Sequence, residues 1–112
     1  MRGPEAEIQK HIIELLRDKL EFNVWETSQG YRKDPGGTRM TPGIPDLIIA
    51  GHGHTLFVEV KAPKGGKLTD MQYLFRVRWT ESGGTSLVWR SDSDAWDWLV
   101  SVGIIEETDE VA

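Results

Sequence analysis

Two apolar, β-branched runs flank a short glycine-rich stretch in the middle of the chain, and they constrain the fold more than any other feature. Asp46-Leu47-Ile48-Ile49-Ala50 and Thr55-Leu56-Phe57-Val58-Glu59-Val60-Lys61 have the composition of strands. Gly51-His52-Gly53-His54 between them reads as a turn, so the two runs are expected to form an antiparallel hairpin. A turn centred there pairs residues whose numbers sum to about 105, which sets Asp46 opposite Glu59. Glu59 and Lys61 are two apart on one strand and therefore point to the same face. Pro45 fixes its own φ and biases Ile44 towards extended geometry, so the chain enters the hairpin at Asp46 in a defined direction.

That register has a chemical consequence. Two carboxylates side by side in a partly buried sheet repel each other, and they stay ionised together only around a cation; otherwise one protonates. Magnesium, which takes oxygen ligands and keeps several of its waters, suits such a pair better than calcium, which demands a fuller protein cage. The backbone carbonyl of Val60 offers a third ligand beside Asp46 and Glu59. Lys61, next to the cation, is placed to orient an attacking water and to stabilise charge developing on a phosphodiester. His52 and His54 are turn residues and not zinc ligands on this reading, since no third ligand accompanies them.

The rest of the chain supplies layers for this hairpin. Ile8, Ile12, Leu15, Leu16 and Leu20 recur at helical spacing over residues 5–20, after a Gly3-Pro4 start. Glu5 falls on the apolar side of that helix, whereas Glu7, Glu14 and Asp18 fall on the polar side. Residues 22–26 alternate as a strand, and residues 28–43, with four glycines and two prolines, form a long loop. A second helix is expected over residues 68–79, ended by Gly83-Gly84, then a strand over residues 86–89. Ser91 or Ser93 caps a final helix bearing Ala95, Trp96, Leu99 and Val100. Trp96 and Trp98 cannot both face inward on one helix, so Trp98 is expected at a self-association surface. The element order is αβββαβα: an α/β fold with a mixed sheet flanked by helices, its strand order left open. With 112 residues the chain fits one domain, residues 1–105, followed by an acidic tail at 106–112.

The absence of cysteine excludes disulfides and thiolate metal sites. With no long apolar run there is neither a signal peptide nor a membrane span, and a cytoplasmic protein is the expectation. A net charge of −5 argues against a polyanionic partner only until its distribution is considered. Basic and acidic side chains number four and six in residues 1–31, eight and four in residues 32–78, and one and eight in residues 79–112. Tyr31, Arg32, Lys33 and Arg39 on the long loop, with Lys64 and Lys67 after the second hairpin strand, flank the carboxylate pair from both sides. They are expected to contact phosphates, positioning a nucleic-acid backbone without reading bases.

Asp46 followed by Glu59-Val60-Lys61 is the pattern of the PD-(D/E)xK nucleases. The whole chain resembles a stand-alone VRR-NUC domain, the virus-type replication–repair nuclease family. Four motifs carry the resemblance over roughly residues 5–100: Glu5 in Glu-x-x-Ile on an early helix, Gly43-Ile44-Pro45-Asp46, Glu59-Val60-Lys61, and Gln72 at the end of Lys67-Leu68-Thr69-Asp70-Met71-Gln72. The resemblance implies a restriction-endonuclease-like fold and a metal held by Asp46, Glu59 and the Val60 carbonyl, with Lys61, Gln72 and Glu5 completing the catalytic set. It also implies cleavage of DNA with Mg2+, for which Mn2+ would substitute, without a nucleotide cofactor. Small members resemble dimeric Holliday-junction resolvases, so branched DNA, a homodimer and a virus-encoded origin are the corresponding expectations. A nickase, flap endonuclease or exonuclease, or an inactive DNA-binding module of the same fold, are the alternatives.

Overall fold

The computed structural model describes residues 3–27 and 43–108. At its centre is a four-stranded mixed sheet in the order β1-β2-β3-β4, formed by β1 (Asn23–Glu26), β2 (Leu47–Gly51), β3 (His54–Val60) and β4 (Thr85–Trp89). The first three strands are antiparallel neighbours and β4 joins β3 in parallel. A parallel neighbour needs a crossover, and α2 (Asp70–Glu81) supplies it. The remaining helices are α1 (Pro4–Ile13) and α3 (Asp92–Ser101). The architecture is therefore α/β with helices flanking a mixed sheet, in the order read from the sequence. Among the described residues no helix is long and apolar enough to cross a membrane.

The hairpin has the anticipated register. Leu47 pairs with Val58 and Gly51 with His54, which leaves His52-Gly53 as a two-residue turn. Both turn residues have positive φ, 51° at His52 and 84° at Gly53, the handedness that matches the twist of the strands. Histidine is an uncommon choice at such a position. Here its Nε2 donates to the Leu20 carbonyl at 2.7 Å and its ring lies 4.6 Å from that of Phe22, contacts that hold it there.

The first helix differs from expectation in its second half. From Glu14 to Lys19 the α-helix gives way to a π-helical turn. Ile8, Ile12, Leu16 and Leu20 recur every fourth residue, wider than the 3.6-residue α-helical period, and i→i+5 bonding keeps such a stripe on the sheet. Ile12 and Leu16 are completely buried as a result. The segment ends with the Phe22 N–H bonded to the Leu16 carbonyl at 2.9 Å and Arg17 bonded to the Val24 carbonyl.

One sheet face carries the core. Val24, Ile49 and Leu56 align across three strands, and with Leu47, Val58, Val60 and Trp89 they pack against Ile12, Leu16, Ala95 and Leu99. On the other face Phe57 meets Phe75 and Trp79 edge-on, with ring centroids at 5.2 and 4.6 Å, so α2 is seated by aromatic contacts near the sheet edge. Arg76 secures it further, donating to the Ser86 hydroxyl and carbonyl. Ser91, not Ser93, caps α3, accepting from the Asp94 N–H.

The expectation of an outward Trp98 is not met. Both Trp96 and Trp98 pack against the core. The Trp98 ring lies 6.1 Å from those of Phe22 and Trp89 and meets His54 edge-on at 5.4 Å. Two indoles two residues apart reach different neighbours because each is long enough to wrap over one flank of a helix.

Candidate active site

Asp46, Glu59 and Lys61 meet where β2 begins and β3 ends. Asp46 immediately precedes β2, and its main-chain carbonyl accepts from the Thr27 N–H at 2.9 Å, which extends the β1–β2 ladder by one step. Thr27 also donates its hydroxyl to the Pro45 carbonyl, so the turn into Asp46 is held from the neighbouring strand. Pro45 is fully buried there. Gly43 completes the approach: at φ 81°, a side chain on it would come within 2.3 Å of the Met71 carbonyl oxygen and 2.9 Å of the Gln72 nitrogen. Only glycine lets this turn press against the first turn of α2.

Across the hairpin, Asp46 Oδ2 accepts from the Val60 N–H at 2.8 Å. In an extended strand the N–H and C=O of one residue leave on the same side, so the Val60 carbonyl also faces the Asp46 side of β3. Lys61 is turned the other way in its main chain, its N–H bonded to the Trp89 carbonyl at 3.0 Å. The Glu59 and Lys61 residues are 2% and 9% exposed, a rare degree of burial for these types.

Glu59 is the electrostatic anomaly among the described residues. Burial, a hydrogen bond with Asp46 and the Asp46 charge push its carboxyl up to about 9; Lys61 opposes this and Glu5 adds to it. One of its oxygens, Oε1, is buried with no hydrogen-bond partner among the described residues. An orphaned carboxylate oxygen at this depth costs free energy, and a bound cation is the partner that would offset it. Among the described residues no three histidine or acidic side chains converge as a metal cluster. The donors on offer, two carboxylates and a main-chain oxygen, fit a hard cation that completes its shell with water.

The other sequence candidates divide by position. Glu5, in the first turn of α1, is half-buried and near enough for its charge to act on Glu59. Glu7 is exposed and lies 3.8 Å from His11, away from that interaction. Gln72 is brought to the Asp46 turn by Gly43, but its side-chain oxygen accepts the Thr69 N–H at 2.8 Å while Thr69 Oγ1 accepts the Gln72 N–H at 3.1 Å. This reciprocal capping box starts α2. The Gln72 side-chain oxygen is thus engaged at a helix N-terminus that lies beside the Asp46 turn. Lys64 and Lys67 are exposed on the loop that directly follows Lys61. Tyr31, Arg32, Lys33 and Arg39 lie outside the described residues.

Sequence reasoning passed over three residues that position the site. Thr27 gave no signal. Gln9 is buried at 3% exposure, one turn after Glu5, and donates to the Glu26 carboxylate at 3.0 Å. A polar residue between Ile8 and Ile12 on a core-facing helix was the clue to it. Arg90 reaches back to the loop after Lys61 and was conspicuous as the only basic residue beyond position 78.

No family model matches the chain, and no curated protein does. Among solved structures, a chain described as a VRR_NUC domain matches it with a TM-score of 0.62 and 26% sequence identity, covering 88% of this chain and 95% of that one. That likeness extends over most of both chains and supports reading this chain as a VRR-NUC domain.

Proposed function

We propose that this nuclease domain is a Mg2+-dependent DNA endonuclease, structure-selective for branched DNA in the manner of a Holliday-junction resolvase. The observation that carries the reading is the buried Glu59, its Oε1 without a partner among the described residues, hydrogen-bonded with Asp46 and followed by Lys61 on the same face. The likeness to a VRR_NUC domain supports the nuclease class. Asp46, Glu59 and the Val60 carbonyl would hold the cation, with Mn2+ able to substitute. When bound, Mg2+ supplies Lewis-acid polarisation of the scissile phosphate and lowers the pKa of a coordinated water.

The remaining work falls to the chain's own groups. Lys61, fixed by burial of its stem, presents an ammonium that orients the attacking water and balances charge on the phosphoryl oxygens. Attack in line with the leaving oxygen gives a 5′-phosphate and a 3′-hydroxyl. Lys64 and Lys67, with Arg32, Lys33 and Arg39, would neutralise backbone phosphates, and Tyr31 would hydrogen-bond to one. Such contacts register shape and backbone path, which favours structure over sequence as the basis of selection. A C2 homodimer would set two sites against the symmetric strands of a four-way junction.

The test is cleavage of a labelled four-way junction, flap, duplex and single strand at low salt with Mg2+ or Mn2+, beside Lys61→Ala. Paired symmetric cuts in the junction alone, lost in the variant, are the expected result. Cuts elsewhere would keep the active site and overturn the substrate. Cleavage that survives in Lys61→Ala would overturn the site.

A second expectation concerns protons. With its carboxyl pushed up to about 9, Glu59 is protonated at neutral pH and is expected to release about one proton when Mg2+ binds at pH 7. Calorimetric titration in buffers of different ionisation enthalpy measures this directly. An observed heat independent of buffer would contradict it.

A further inference from the structure

Arg90 follows β4 directly, at a distance in sequence from every motif of the site, yet its guanidinium closes the loop that leaves Lys61. Its Nη1 donates to the Ala62 carbonyl at 2.9 Å and to the Gly66 carbonyl at 2.6 Å. These two carbonyls stand at the two ends of a five-residue excursion, so one nitrogen ties the loop at its neck. The tie is close-packed: a side chain on Gly66 would come within 2.8 Å of both the Ala62 nitrogen and oxygen and 3.2 Å of Lys61 Cβ. Arg90 is itself fixed, its N–H bonded to Asp94 Oδ2 at 2.8 Å at the start of α3. Between the tied ends the exposed Lys64 is carried at the tip, and Lys67 follows immediately after.

We propose that Arg90 is a positioning residue for DNA binding: by bridging Ala62 and Gly66 it pre-forms the loop that presents Lys64 and Lys67 to phosphates. The inference rests on the nuclease reading for its substrate. Two details separate its effect from one on chemistry. Lys61 is anchored independently by the Trp89 carbonyl, so loosening the loop leaves the catalytic lysine in place. A flexible loop, by contrast, must be ordered each time it takes a phosphate, which weakens binding without touching the reaction. Arginine suits this task because its guanidinium stays charged and each Nη carries two N–H donors, so Nη1 alone serves both carbonyls.

The test compares the wild type with Arg90→Met, which keeps the stem, and Arg90→Lys, which keeps the charge. Three quantities are measured: amide exchange over residues 62–66, the Kd for a labelled junction in Ca2+, and kcat at saturating DNA in Mg2+. Arg90→Met is expected to speed exchange in the loop and raise Kd about tenfold, with kcat held within about threefold. Arg90→Lys should recover most of the affinity, and it carries the comparison with the wild type should Arg90→Met fail to fold, its own Kd then rising about threefold with faster exchange. Unchanged Kd or unchanged exchange would overturn the proposal, as would a collapse of kcat at unchanged Kd. If the wild type binds DNA but cuts nothing, the nuclease reading falls while exchange and Kd still decide the role of Arg90.

Discussion

Asp46→Asn is expected to lower cleavage by at least about 10³-fold while leaving the fold in place. The substitution keeps an oxygen to accept the Val60 N–H, now bonded to Asp46 Oδ2 at 2.8 Å, and the main-chain bond from Thr27 is untouched. What disappears is one of the two charges that would hold the cation. Charge stabilisation at such a centre is worth several kcal/mol in the transition state, and each 1.36 kcal/mol is tenfold in rate. The same change removes a like charge beside Glu59 and turns an accepting oxygen into an amide donor, weakening two of the causes that push its carboxyl up, though burial, the largest, remains. Circular dichroism and thermal unfolding should therefore overlay closely on the wild type as activity vanishes. A variant that cuts at the native rate would show that Asp46 holds no essential cation.

The register of the hairpin was legible because turn length and strand alternation are local properties, and Asp46 opposite Glu59 followed from counting. The parallel pairing of β4 was not, since it depends on how α2 crosses the sheet, a matter of tertiary packing by Phe57, Phe75 and Trp79. The π turn at Glu14–Lys19 escaped a search for helical spacing that tolerates steps of three and four alike. Its signature was the run of fours through Ile8, Ile12, Leu16 and Leu20.

The site was half legible for a related reason. Residue types that do chemistry announce themselves at a characteristic spacing, as Glu59 and Lys61 do. Residues that hold them in place use main-chain acceptors, and no sequence pattern encodes those. Arg90 binding two carbonyls, and Thr27 binding another, belong to this second kind. Gln72 shows the opposite case: its place in a motif was visible, but the use of its side chain in a capping box emerged only with Thr69 in position.

Glu59→Gln is expected to abolish cleavage and, in metal-free protein, to raise stability at alkaline pH. The unfolded carboxyl titrates near its ordinary 4.5, whereas the folded one is raised to about 9. Between those values the native state carries a proton that the unfolded state lacks, so native stability falls as pH rises from 4.5 towards 9. Below 4.5 both states are protonated and the penalty is absent. A neutral amide of the same shape does not titrate, so its advantage over Glu59 should grow with pH, to about 5 kcal/mol at pH 8. For a domain of this size that is about 20 °C in Tm. With saturating Mg2+ the order should reverse, because only the ionised carboxylate gains a cation and native protein that binds a ligand is stabilised by it. Melting curves at pH 5 and pH 8, with and without Mg2+, contain the whole argument. A Glu59→Gln Tm that tracks the wild type at both pH values would mean that Glu59 is not the destabilised, cation-seeking carboxylate described above.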